Sequence, residues 1–163
     1  MLILLLVIES LVMCFLLLLP LVIGISNGAE NLVVLYEKDV QERVIELGLT
    51  NKKKIKNSFN ILLLVLYVPV LFLIPLMVCF INGARGFFEI FWQTALISFI
   101  TQLFDRLFID WYWVEHTQAW NIPNTEELKP YIPKKMKIIK WLGTIFGFAI
   151  IALIIALVMS NIV

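Results

Sequence analysis

Four long apolar runs constrain the fold of this chain more than any other feature of its sequence. Each run exceeds the roughly 20 residues that a helix needs to cross the hydrocarbon core of a bilayer. The alternating polar and apolar segments that build a membrane barrel are absent, and backbone groups in lipid must be satisfied internally. The sequence therefore predicts an all-α integral membrane four-helix bundle, with transmembrane helices over residues 2–24, 58–81, 88–113 and 138–161.

The composition agrees with a single membrane domain. Hydrophobic residues make up 61% of the 163-residue chain and charged residues only 15%, which is far from the composition of a soluble domain. The connections are too short to hold a separate soluble domain, so we expect one transmembrane domain over residues 1–163. The formal net charge of +1 gives no general attraction to nucleic acid, so the lipid bilayer is the expected partner.

The basic residues predict how the bundle is oriented. Apart from Arg85 and Arg106, the lysines and arginines lie in or beside the two long connections, residues 26–57 and 114–137. By the positive-inside rule, these connections are cytoplasmic and both termini lie on the non-cytoplasmic side. The expected location is the cytoplasmic membrane of a prokaryote.

The third apolar run carries the polar groups that most need an explanation. At about 100° per residue, a stripe of polar side chains falls within roughly 60° of Asp105 over about six helical turns. A polar group without a partner is costly in hydrocarbon, and a central ionised side chain costs at least about 2.5 kcal/mol. We therefore expect the stripe to face protein or water. Its members are Thr94, Ser98, Thr101, Gln102, Asp105, Tyr112 and His116.

Charged residues beside this stripe predict a binding cavity. Arg106 and Asp110 stand at i and i+4 and can pair on one flank, and Asp105 is next to the guanidinium. The pattern predicts an aromatic-walled, mixed-charge cavity that opens toward the cytoplasm, with Asp105 deepest and Tyr112 and His116 above it. Alternatively, the Arg106–Asp110 pair only orients the helix at the interface. The candidate substrate-binding residues are Glu9, Thr101, Gln102, Asp105, Arg106, Asp110, Tyr112, Trp113, Glu115 and His116.

Two features outside the third run complete the set of candidates. In an antiparallel bundle, Glu9 would lie near the level of Thr94, which suggests a polar path between the two membrane sides. A simple inter-helix hydrogen bond is the alternative role for Glu9. In the fourth run, Gly143 and Gly147 have the GxxxG spacing that permits close helix contact, either within one chain or across a homodimer.

The two long connections differ in character. Apolar residues recur at helical spacing from Leu32 to Leu47, which predicts an amphipathic helix that ends at Gly48. Such a helix could lie on anionic lipid or take a partner helix, or its basic residues could serve only as a topology signal. The second connection is broken by prolines and should fold back across the mouth of the bundle, with Trp120 and Tyr131 at headgroup level.

No sequence motif identifies a reaction or a cofactor. His116 is too far along a straight helix to share one metal ion with Asp105, and there is no phosphate-binding loop or nucleophile motif. The leading hypothesis is a small membrane protein that binds or transports a small solute or protons at Asp105, Tyr112 and His116. One alternative is a membrane-embedded enzyme acting on a lipid or lipid-linked substrate, with Asp105 or Asp110 as base and His116 as acid. Another is an accessory subunit of a larger membrane complex.

Overall fold

The protein is a bundle of four long helices, as the sequence predicts. The computed structural model describes every residue from 1 to 163 and contains no strand. All four helices are long and apolar enough to cross a membrane. The prediction of an all-α membrane bundle is therefore confirmed. We call these helices the first to fourth spans, and they run over Leu2–Ser26, Lys52–Ile81, Phe87–Val114 and Lys134–Met159.

Two of the spans begin before the apolar runs that predicted them. The second span starts at Lys52, because the side chain of Asn51 caps the helix by accepting a 2.8 Å hydrogen bond from the backbone amide of Lys54. The fourth span likewise starts at Lys134, directly after Pro133. Both helices therefore extend beyond their apolar runs by a lysine-rich first turn.

The third span is the centre of the bundle. It packs most extensively on the fourth and first spans, and the second span packs on the first and third. The second and fourth spans make little direct contact with each other. Large apolar side chains remain exposed around the whole outer surface, including Ile3, Phe72, Phe88 and Phe146. An apolar surface of this extent requires a bilayer around it.

The two ends of the bundle have different structures. Both chain termini and the short connection after Ile81 lie at one end, which we call the terminal end, and the two long connections lie at the other, which we call the loop end. Apolar side chains from all four spans form a core at the terminal end, with Leu6, Ile74, Ile90 and Ala156 among its members. A second core at the loop end is built largely from the connections themselves.

The first connection folds onto the bundle. A 3-10 helix over Ala29–Leu35 precedes an α-helix over Lys38–Glu46, and Gly48 follows that helix with a φ of +72°. Val40 and Val44 are only 1% and 0% exposed, since they pack into the loop-end core. The predicted amphipathic helix is confirmed over Lys38–Glu46, whereas Leu32 belongs to the separate 3-10 helix and Tyr36 is extended between the two. The apolar face of this α-helix covers its own chain, and binding of the helix to anionic lipid or to a partner helix stays a prediction.

The second connection also belongs to the loop-end core. Its aromatic residues Trp120 and Tyr131 are buried against Tyr36 of the first connection, and the hydroxyl of Tyr36 donates a 2.5 Å hydrogen bond to the carbonyl oxygen of Trp120. Both rings therefore pack inside the protein, and their depth relative to the lipid head groups stays a prediction. We call the two connections together, residues 29–47 and 115–132, the cap.

Replacing Gly24 by alanine tests the close contact between the first span and the cap. The new Cβ would lie 2.6 Å from the side chain of Leu32, and crowding of this kind costs about 1–3 kcal/mol. We expect Gly24→Ala to lower the melting temperature of the purified protein in detergent. Gly147→Ala is the matched control, because a Cβ there meets nothing within 4 Å and removal of a helical glycine stabilises by about 0.5–1 kcal/mol. A Gly24→Ala variant as stable as the wild type would contradict the predicted crowding at Gly24.

The GxxxG pair does not form a close contact inside the chain. Added Cβ atoms at Gly143 and Gly147 would both meet open space. Contact across a homodimer therefore stays a prediction, and a destabilising Gly147→Ala change would favour it.

Candidate functional site

The third span changes its helical geometry where its charged residues begin. From Asp105 to Val114 the backbone is a π-helix, in which hydrogen bonds join residues i and i+5. Such a helix turns by about 80° per residue, instead of the 100° of an α-helix. Asp105 and Asp110 are five residues apart, so the π-helix brings them toward one face. Helical turns of this type are frequent at functional sites.

Four side chains form a charged network on this face. Arg106 donates hydrogen bonds from Nη2 to Asp105 and from Nη1 to Asp110, and the Nζ of Lys140 on the fourth span lies 2.8 Å from Oδ1 of Asp110. Arg106 is buried and both carboxylates are mostly buried. Two positive and two negative charges balance, which makes their burial possible. We call Asp105, Arg106, Asp110 and Lys140 the charged tetrad.

Three cavities meet at the charged tetrad, and Arg106 and Lys140 line all of them. The central cavity, of about 290 Å³, lies between all four spans. The flank cavity, of about 280 Å³, lies between the third and fourth spans. The loop-side cavity, of about 240 Å³, lies under the cap. The tetrad can therefore be reached by a small molecule from more than one direction.

The central and flank cavities contain three more of the predicted site residues. Thr101 and Gln102 line the central cavity together with Asp105. Glu115 lines the flank cavity near Asp110, and its carboxylate lies 2.6 Å from Nζ of Lys137. The structure thus places these three residues with the charged tetrad.

Tyr112 and His116 lie away from the site. Tyr112 is 50% exposed and its ring packs beside Phe108 at 5.8 Å. His116 is exposed, and its Nδ1 lies 2.5 Å from the backbone oxygen of Trp111. Neither residue lines any of the three cavities. The prediction that they share a cavity with Asp105 is therefore wrong.

The π-helix explains this error. Its rotation falls short of an α-helix by about 20° at each residue. Between Asp105 and Tyr112 the shortfall adds up to about 140°, and it persists to His116, so both side chains move to the opposite surface. Trp113 rotates as well and packs edge-on against Trp120, with 5.3 Å between ring centroids. Trp113 thus contacts Trp120, which lines the loop-side cavity, but does not line that cavity itself.

Glu9 belongs to a separate polar cluster near the terminal end. Asn82 donates hydrogen bonds from Nδ2 to Glu9 at 3.0 Å and to Gln93 at 2.9 Å. Gln93 precedes Thr94, so the predicted level of Glu9 is confirmed. Several buried oxygens in this part of the bundle have no hydrogen-bond partner, namely Glu9 Oε1, Asn82 Oδ1, Thr94 Oγ1 and Ser98 Oγ.

Sequence reasoning missed three residues of these clusters, namely Lys140, Asn82 and Gln93. Lys140 lies inside the predicted run 138–161, and a lysine within a span needs a carboxylate partner. That signal could have assigned Lys140 to the site. Asn82 lies just beyond the second apolar run, where no pattern distinguishes it from an ordinary turn residue.

Two buried donors at the loop-side cavity lack partners. Nε of Arg106 and Nε1 of Trp120 make no hydrogen bond, and both residues line this cavity. Tyr36 lines it too, and burial raises the pKa of its phenol far above the ordinary value. Tyr36 therefore stays neutral and keeps donating to the backbone of Trp120, which holds the cap over the cavity.

No protein-family model, no curated protein and no solved structure matches this chain. No group of three or more histidine, cysteine, aspartate or glutamate side chains is placed to hold a metal ion. The groups at the site are carboxylates, a guanidinium and an ammonium beside open space, and their chemistry is that of hydrogen bonding, charge pairing and proton exchange.

Proposed function

We propose that this chain is a small membrane protein that binds a small solute at the charged tetrad, within the bilayer. The observation that carries the proposal is that all three cavities converge on Arg106 and Lys140. Ionisable residues inside a span are costly and mark sites of binding or transport when they face a cavity. An ion pair that only oriented the helix would need no open space around it.

A buried polar row favours carriage of the solute, or of a proton, across the bundle. Thr94, Ser98 and Thr101 are buried along the third span between the charged tetrad and the cluster around Glu9. The hydroxyls of Thr94 and Ser98 have no protein partner, so they remain able to bond to water or to a passing polar group. Together with Glu9 they supply the polar groups that a route through the bundle requires.

The enzyme alternative has less support from the geometry. It assigned His116 as the acid that works with Asp105 or Asp110. His116 makes no hydrogen bond or ion pair with either carboxylate, and its Nδ1 contacts the backbone of Trp111 instead. Binding at the tetrad needs no such partner.

Replacing Asp105 by asparagine is expected to change ligand stabilisation at the tetrad, weakening it for a cationic probe and strengthening it for an anionic one, while the protein still folds. The amide keeps the size of the side chain but removes its charge, and Arg106 retains its bond to Asp110. Acetate, glycine, choline and glycerol would serve as anionic, zwitterionic, cationic and neutral probes in thermal unfolding of the purified protein. A saturating ligand raises the melting temperature by about 5 °C or more, and we expect this of at least one probe with the wild type.

Asp39→Asn is the matched control for this test. Asp39 lies exposed on the cap, away from all three cavities, so the same chemical change should leave the thermal shift unaltered. A wild-type protein that none of the four probe classes stabilises would count against the proposal. So would a thermal shift in Asp105→Asn that is identical to that of the wild type for every probe.

A further inference from the structure

The loop-side cavity offers two hydrogen-bond donors to a ligand. Arg106 and Trp120 are 9% and 3% exposed, and Nε of Arg106 and Nε1 of Trp120 have no acceptor in the protein. Buried donors are almost always paired with protein or with another bound group. Because both side chains line one cavity, a ligand there must bring an acceptor.

The loop-side cavity adjoins the central cavity. It shares Leu17, Leu66, Asp105, Arg106 and Lys140 with the central cavity, so the two lie on either side of the charged tetrad. Away from the tetrad, the central cavity is walled mainly by apolar side chains, which include Met13, Leu16, Val65, Val70 and Phe148. A ligand that occupied both spaces would need a polar head and an apolar tail.

The central cavity also opens toward the surface that faces lipid. Val65 and Tyr67 of the second span line the cavity and are at the same time exposed on the outside of the bundle. Gly143 faces them from the fourth span, and an added Cβ there would meet nothing within 4 Å. Since the second and fourth spans make little direct contact, a molecule dissolved in the bilayer can enter between them.

We infer that the site binds a single-chain amphiphile with an anionic oxygen head group. The head accepts hydrogen bonds from Nε of Arg106 and Nε1 of Trp120 in the loop-side cavity, and the acyl chain lies in the central cavity. An anionic acceptor forms stronger hydrogen bonds with a guanidinium than a neutral one does. Because Asp105 and Asp110 balance Arg106 and Lys140, the two free donors and not a net charge select the head group. The inference rests on the proposed function, because it uses the same tetrad, and it names the ligand class.

Photo-crosslinking in phosphatidylcholine nanodiscs tests this inference. The probe is dodecanoate with a diazirine in the middle of its chain, and mass spectrometry of peptides locates the adduct. We expect adducts on the second and fourth spans around Val65 and Gly143. Excess dodecanoate should abolish labelling, whereas dodecanol should compete about tenfold less well, because it lacks the anionic head.

Two further competitors distinguish the possible sources of the head group. Dodecyl phosphate has the same chain, so stronger competition by it than by dodecanoate would identify a phosphate-bearing lipid. Acetate has the head without the chain and should not compete. Competition by acetate as strong as that by dodecanoate would overturn the role of the central cavity.

Substitutions at the two ends of the site separate the head from the tail. Trp120→Phe removes the Nε1 donor and keeps an aromatic ring against Trp113, so labelling should fall about tenfold. Gly143→Phe fills the opening between the second and fourth spans, and labelling should fall at least about tenfold there as well. Gly147→Phe is the matched control, because Gly147 also meets open space but lies outside the central cavity.

The outcomes separate this inference from the proposed function. Equal labelling of the Gly143→Phe and Gly147→Phe variants, or equal competition by dodecanol and dodecanoate, would overturn the inference. If a small polar probe stabilises the wild type through Asp105 but dodecanoate does not bind, the inference fails and the proposed function stands. If neither small probes nor dodecanoate binds, both fail.

Discussion

Replacing Arg106 by methionine should destabilise the protein by about 3–5 kcal/mol, which is the usual cost of leaving a buried charge without its partner. Arg106 is the only residue that bonds to both Asp105 and Asp110. Without it, Lys140 remains as the single cation beside two mostly buried carboxylates. Equilibrium unfolding of the purified protein in mixed micelles measures this loss.

A double variant provides the control for this first prediction. Arg106→Met combined with Asp105→Asn leaves only the balanced Asp110–Lys140 pair, so it should recover most of the lost stability. If Arg106→Met alone lowered the free energy of unfolding by less than about 1 kcal/mol, the tetrad would be a solvated cluster rather than a buried network.

Replacing Trp120 by alanine should also cost about 3–5 kcal/mol, as expected for the loss of a large buried aromatic side chain. Its ring packs edge-on against Trp113 and at 6.0 Å from Tyr36, in the middle of the loop-end core. We expect the cap to loosen first, because both connections pack around this ring. Limited trypsin digestion should then cleave at Lys38 or Arg43 faster than in the wild type.

Trp111→Ala is the matched control for Trp120→Ala. Trp111 is 57% exposed at the same end of the bundle, so its loss should cost less than about 1 kcal/mol and leave the digestion pattern unchanged. Similar losses from the two tryptophans would mean that the ring of Trp120 is not part of a packed core.

The bundle could be predicted from the sequence because a bilayer imposes a minimum length on every apolar helix. That constraint acts on each run separately and needs no knowledge of how the helices pack. It is less informative about helix ends. The first turns of the second and fourth spans are rich in lysine. The hydrogen bond from the Lys54 amide to the side chain of Asn51, and not hydropathy, decides where the second span begins.

The candidate site could be predicted only as far as the third span remains an α-helix. Thr94, Ser98 and Thr101 are buried where the helical period places them. Beyond Asp105 the π-helix changes the period, and hydropathy carries no signal for hydrogen bonds between i and i+5. Tyr112 and His116 were therefore assigned to the wrong surface.

The cap shows a different limit of sequence reasoning. Aromatic residues near the end of a span fit a membrane interface by composition alone. Trp120 and Tyr131 are buried instead, because they share a core with Val40 and Val44 of the helix Lys38–Glu46. These valines are separated from the two aromatic residues by about 80 positions in the sequence. Contacts at such separation depend on the tertiary fold, which no local pattern reports.

The balance of charge in the tetrad determines how the site responds to membrane voltage. Moving one elementary charge across 100 mV is worth about 2.3 kcal/mol, but a group with no net charge experiences no net force. The membrane potential therefore exerts no net force on the empty tetrad. An anionic ligand would add a net charge, so that the membrane potential would act on the site only when the ligand is bound.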